Sequence, residues 1–153
     1  ITINPAATAN AGADQTVCAS STEVQLAGVV GGSATGGTWT GGAGTDSPNA
    51  GTLDARYSPS ASEIAAGGVA LRLSSNNPDG SCPAATDQVR IDIRPAATAN
   101  AGLDQTVCSG SPRVQLAGVV GGSATGGTWT GGWGTYIPSA NALNAAYMPS
   151  ASL

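Results

Sequence analysis

Histidine, lysine and phenylalanine are absent from this 153-residue chain, and charged side chains make up only 9% of it. Without His or Lys, the usual general bases and amine nucleophiles are missing, which leaves carboxylates as candidates for catalysis. Two carboxylates could run a glycosidase. Glu23, Glu63 and the aspartates are scattered over strand faces and turns, however, and the chain reads as no enzyme. The lack of Lys also excludes isopeptide staples from Lys to Asn or Asp. A net charge of −4 and a pI near 4.3 leave no basic patch to neutralise phosphates, so nucleic acid is not an expected partner. No apolar run approaches the eighteen or so residues needed to cross a bilayer, and no charged-then-apolar leader opens the chain, so membrane insertion is not expected.

Glycine is abundant instead, at 23 residues, and 41% of the chain is apolar, arranged in short periodic runs that argue against disorder. The stretch "VQLAGVVGGSATGGTWTGG" occurs twice without a difference, at residues 24–42 and 114–132. Aligning Pro5 with Pro95 makes 44 of 59 positions identical and sets a period of 90 residues. That is the size of a β-sandwich domain, and too long for helical or leucine-rich repeat units. Residues 5–94 read as one complete repeat. Residues 95–153 read as a second that lacks the counterpart of 64–94. "ITIN" at residues 1–4 fills the place of "IDIR" before Pro95 and reads as the tail strand of a preceding repeat. The expected organisation is a window on a longer array.

Two-residue alternation marks the strands. Val24, Leu26, Gly28 and Val30 share one parity, as do Leu53, Ala55 and Tyr57, then Val69, Leu71 and Leu73, and finally Val89, Ile91 and Ile93. Trp39, between Gly-Gly pairs, is the expected central aromatic of the core. "SASEIAAGG" supplies the only helical signal: Ser60 and Glu63 have capping-box spacing, and Gly67 or Gly68 can end the turn. The expected fold class is all-β, tandem Ig-like antiparallel β-sandwich domains, with a barrel or another β architecture as the alternative.

Cys18 and Cys108 are equivalent positions in the repeat, and the counterpart of Cys82 would lie beyond Leu153. This predicts a Cys18–Cys82 disulfide within the first repeat, with Cys108 pairing beyond the fragment, and hence an oxidising, extracellular compartment. The alternative is buried free thiols. "NNPDG" at residues 76–80 has the oxygen-rich look of a calcium turn, with Asp79 and then Asp87 or Asp14 as candidate ligands, although a tight turn demands the same residues. No other cofactor is expected. "GGSATGG" lacks the lysine and the following helix of a phosphate loop and reads as a turn.

Between the copies, Ala13, Ala43, Asp46, Ser47, Ser58 and Glu63 become Leu103, Trp133, Tyr136, Ile137, Met148 and Leu153. Apolar bulk replaces small or charged residues, which makes Leu103, Trp133, Tyr136, Ile137 and Met148 interface candidates. Two other readings stand beside that one: a lid folded over its own domain, and a sugar-stacking platform of Trp133, Tyr136 and Tyr147.

The series "NAGADQTVC", "VQLAG", "GGTWTGGAGT", "LDARYSPSASEIAAGGVALRL" and "NNPDGSCPAATDQVRIDI" resembles the tandem Ig-like or PKD-like repeats of giant surface adhesins exported by type IX secretion, such as gliding adhesins. The resemblance implies an extracellular, cell-surface-attached β-sandwich array with a role in adhesion or filaments, and no enzyme activity. It fixes no binding residue. The function expected from the whole sequence is a stiff shaft segment, with short proline-containing junctions between domains. Its partners would be neighbouring repeats and copies of the same protein in a filament, bundled through the apolar loop, and cell-surface glycans at most. The alternative is a carbohydrate-binding module of a secreted protein.

Overall fold

The structure, a computed structural model, describes residues 1–20, 23–77, 82–110 and 113–150. Two units are present, Ile1–Pro95 and Ala96–Leu153. In the first, the elements run β1 (Thr8–Asn10), β2 (Gln15–Cys18), β3 (Val24–Gln25), β4 (Val29–Gly31), β5 (Gly37–Thr40), β6 (Thr45–Ser47), β7 (Arg56–Ser58), α1 (Ala61–Ala66), β8 (Gly68–Ser75) and β9 (Thr86–Arg94). One sheet has the order β2-β9-β8-β5, a second β3-β7-β6, and β1 pairs with β4. Every pairing is antiparallel except that of β2 with β9.

The two larger sheets form a sandwich because each buries one parity of its strands. Val24, Leu26, Ala55 and Tyr57 from one side meet Trp39, Leu71, Leu73, Val89, Ile91 and Ile93 from the other. Gln25, Arg56, Arg72 and Arg90 take the outer parity and are exposed, as the alternation predicts. Trp39 is 2% exposed, and its indole N–H lies 3.2 Å from the carbonyl of Thr52, so the core's largest side chain keeps a hydrogen-bond acceptor. α1 is the predicted single turn. Ser60 caps it through its side chain, Glu63 completes the capping box, and Gly67 closes it at φ 80°.

The second unit contains β10 (Thr98–Asn100), β11 (Val114–Gln115), β12 (Val119–Gly121), β13 (Thr135–Ile137) and β14 (Ala146–Met148). Its sheets, β10-β12 and β11-β14-β13, reproduce β1-β4 and β3-β7-β6 of the first unit. The four-stranded sheet has no counterpart among the described residues. "QTVC" is strand β2 at residues 15–18 but irregular at 105–108, and "GTWT" is strand β5 at 37–40 but irregular at 127–130. Identical sequence takes a different local structure because β9 and β8, the partners that hold β2 and β5, are present only in the first unit. Residues 1–4, read as a tail strand, likewise form no strand, and Ile1 and Ile3 are exposed.

The predicted Cys18–Cys82 disulfide is not formed: Cys18, Cys82 and Cys108 are free thiols. Topology explains why. Cys18 pairs in register with Arg94, the last residue of β9, whereas Cys82 precedes that strand's first residue, Thr86. The strand between them is ~26 Å long, and four residues can reach back only ~14 Å, so the two Cα atoms stay ~12 Å apart or more, where a disulfide allows ~7 Å at most.

Urea unfolding followed by Trp39 fluorescence, in a Trp129→Phe, Trp133→Phe background, should give the same midpoint for Cys82→Ser as for the parent, with or without reductant. A bridge across this loop would contribute ~4 kcal/mol and separate the curves.

Candidate functional site: a buried carboxylate and an open sheet face

Tyr57 points into the core from β7, and its hydroxyl meets the only carboxylate among the buried side chains of the described residues. That hydroxyl lies 2.7 and 2.8 Å from the two oxygens of Glu63, donating to the carboxylate, and accepts the Gly44 N–H at 2.9 Å. Glu63 also accepts the N–H groups of Ala43 and Ser60, each at 2.7 Å, and the Ser60 hydroxyl at 3.0 Å. The sequence showed Glu63 as a helix cap. Its second role, tying the 43–44 loop and β7 to α1, depends on long-range placement. Burial by itself raises the Glu63 carboxyl, but the N–H and O–H donors outweigh it and hold the group below the ordinary carboxylate range. Burial, and then the bond to Glu63, pushes the Tyr57 hydroxyl well above its usual value. In the second repeat Leu153 stands at the position of Glu63 and lies outside the described residues. Tyr147 keeps its bond from the Gly134 N–H at 3.0 Å.

The interface candidates separate into groups. Thr135–Ile137 forms strand β13, so alternate side chains leave on opposite faces. Tyr136 faces Tyr147 across the ladder, with ring centroids 4.9 Å apart at 43°, and its hydroxyl donates to the Gly131 carbonyl at 2.8 Å. It packs on its own unit and is not part of an exposed aromatic loop. In the first unit Asp46 occupies this place. One of its oxygens is buried without a partner, and burial raises its carboxyl. Replacing Asp46 with tyrosine removes that desolvated charge.

Ile137 and Met148 leave on the outer face of the β13–β14 pair as diagonal neighbours and are 43% and 38% exposed. Trp133 lies in the bend before β13 and is 94% exposed. Leu103 is 92% exposed but lies elsewhere: the neighbouring Gln105 bonds to Gln115 of β11, at the opposite edge of that sheet from β13.

The calcium candidates serve as backbone clamps. Asp87 accepts the Ala11 N–H at 2.8 Å, and Asp14 accepts the Arg90 N–H at 2.8 Å. The bond from the Ala11 N–H, and then one from the Gln88 N–H, hold the Asp87 carboxyl below its usual value. Asp79 lies outside the described residues, and no group of three or more potential metal ligands occurs among those described.

The remaining feature is the inner face of the second unit's sheet. Val24, Leu26, Trp39 and Tyr57 are buried, whereas Val114, Leu116, Trp129 and Tyr147 are only half-buried. A side-chain carbon built on Gly28 would strike Trp39, the Leu73 methyl and the Leu53 carbonyl; on the equivalent Gly118 its nearest atoms are those of Trp129 and the Leu143 carbonyl, with no leucine side chain among them. An open cavity of about 360 Å³ reaches Trp129 from the side of β10 and β12, lined also by Ala101, Gly118, Val120, Gly127 and Leu143, and does not include Val114, Leu116 or Tyr147. Comparison with protein-family models and with curated proteins returns no match.

Two measurements check this description. Leu26→Ala should cost the first unit ~2–5 kcal/mol, because it opens a cavity in a closed core, while Leu116→Ala should cost the second clearly less. Glu63→Gln should cost ~1.5–3 kcal/mol at neutral pH. Because the folded-state pKa of Glu63 lies below its unfolded value of ~4.3, the stability it provides is complete above that pH and lost as pH falls through the folded value. The acid limb of the first unit's stability curve should therefore be shallower in the variant, as read by Trp39 fluorescence.

Proposed function

We propose that this chain is a structural segment of a very long extracellular adhesin or filament protein, a stiff shaft of repeated β-sandwich units attached to the cell surface. The observation that carries this reading is the course of the first unit's terminal strands. Residues 11–18 run beside residues 87–94 at a constant offset of 76, through the Asp87 clamp, the Asp14 clamp and the parallel β2–β9 ladder. The chain therefore comes in at the start of β9 and leaves at its end, so the first unit transmits the chain from one pole to the other. Repetition of such a unit with a 90-residue period favours an extended string. The motif order shared with type IX-secreted adhesin repeats supports the same reading.

Lateral contact between copies uses the exposed apolar side chains of Trp133, Ile137 and Met148. A largely exposed indole and two partly exposed apolar side chains match the make-up of an interface core. A sugar platform is less well supported, because Tyr136 and Tyr147 pack on each other and their hydroxyls bond within the unit.

In electron micrographs of the filament-forming protein, Trp133→Ser combined with Ile137→Ser should disperse lateral bundles into single fibres while leaving the unfolding curve unchanged. Bundles of unaltered width would rule out this face as the contact. Tyr136→Ser should instead lower the stability of the second unit.

A further inference from the structure

We propose that the outer face of the β2-β9-β8-β5 sheet in the first unit binds acidic polysaccharide, a chain of uronate or sulfated sugars. The net charge of −4 conceals an uneven distribution. Of the chain's five cationic side chains, three, Arg72, Arg90 and Arg94, stand at exposed outward positions of this one sheet. Asp92 is the only acid at an outward position of its four strands. The opposite sheet carries Arg56, whose guanidinium is already bonded to Glu23 at 2.9 Å.

Register sets the three arginines in one oblique run. Arg72 pairs with Gln88 and Ala70 with Arg90, so Arg72 and Arg90 are diagonal neighbours across the β8–β9 ladder, ~7–8 Å apart. Arg94 follows four residues later on β9, ~13 Å further along. Thr40 of β5, opposite Arg72, and Thr16 of β2, opposite Asp92, add hydroxyls on either side of the run. Arg72 and Arg90 are rooted in a ladder of seven consecutive pairs, and Arg94 is in register with Cys18 of β2, so the backbone fixes their spacing before any ligand arrives.

The guanidinium groups are open to a ligand. Arg72 and Arg94 make no ion pair among the described residues. Arg90 bonds to Asp92 through Nε at 2.7 Å, which leaves the terminal amino groups of its fork to an incoming anion. Both side chains of that pair are largely in solvent, so it competes weakly. The planar fork of arginine matches the paired oxygens of a carboxylate, and a sulfate presents a similar edge. Other partners fit this face less well. Ala70 is the only apolar side chain at an exposed outward position of these strands, so there is no apolar patch on which to seat a protein. No aromatic ring stands here to stack a base, and three arginines fall short of the tract of contacts that holds duplex phosphates. The surface is independent of the contact through Trp133, Ile137 and Met148, and would anchor the first unit in an anionic matrix.

The test measures binding of the full chain, at low ionic strength, to polygalacturonate, which carries only carboxylates, to dextran sulfate, which carries only sulfates, and to uncharged dextran. Binding to at least one acidic polymer, lost at high salt and absent with dextran, is expected. Arg72→Gln, Arg90→Gln and Arg94→Gln combined should weaken it by about tenfold or more, as the loss of three exposed ion pairs predicts, with the unfolding curve unchanged. Arg72→Gln alone, which breaks no side-chain bond among the described residues, should already weaken it measurably. Arg56→Gln with Arg113→Gln, which removes the other two cations, should leave binding as it was. The proposal is overturned if the chain binds neither acidic polymer, if the Arg56 and Arg113 variant weakens binding as much as the triple variant, or if duplex DNA binds as tightly as the polysaccharides. It also falls if the chain self-associates and the triple variant abolishes that association, because the face would then be a contact between copies.

Discussion

The ladder between β8 and β9 is the interaction on which the rest of the first unit depends. It joins Gly68–Ser74 to Thr86–Asp92 over seven residue pairs. It contributes Leu71, Leu73, Val89 and Ile91, each 2% exposed or less, to the core. It also gives β2 and β5 the only strand partners they have among the described residues. The two copies of the repeat isolate this effect. Nineteen identical residues sit in a closed sandwich in one unit and in a half-open sheet in the other, and two identical four-residue segments are strands only where the hairpin is present. For chains this rich in Gly and Thr, strand propensity alone does not decide local structure; the burial of a shared apolar face does.

That dependence sets what could be read from the sequence. Residue alternation identified the inner faces correctly, from Val24 and Leu26 to Ile91 and Ile93, because each of those segments is long enough to show its period or is bounded by glycines. The capping box at Ser60 and Glu63 was legible because its partners are three residues apart. What was hidden has large sequence separation. The bonds from Ala11 to Asp87 and from Arg90 to Asp14 each join residues 76 apart, and both aspartates looked like turn or calcium residues. Pairing Cys18 with Cys82 by counting copies ignored the direction of β9, which carries the two positions to opposite poles. The strand through Tyr136 was hidden because "WGTYIPS" is too short a run to reveal its alternation, and the strand there pairs only with β14.

The Tyr57–Glu63 pair shows a different trade. A carboxylate in a core is costly unless its lone pairs are filled, and here two backbone N–H groups and two hydroxyls fill them. The same bonds fix the hydroxyl of Tyr57 against the 43–44 loop, so one acid ties that loop, β7 and α1 together. The second copy keeps the tyrosine and the loop bond and places a second tyrosine beside it. Two ways of stabilising the same corner are thus present in one chain, one built on a filled charge and one on ring packing.

The parallel run of residues 11–18 beside residues 87–94 has a mechanical consequence. A pull on the two ends of the first unit acts along these segments in opposite directions, at right angles to the hydrogen bonds that join them. Those bonds are loaded in shear, together, instead of being peeled open one after another from an end. Rupture then requires the β2–β9 contacts and both aspartate clamps to fail in a single step, while the antiparallel ladders behind them carry little of the load.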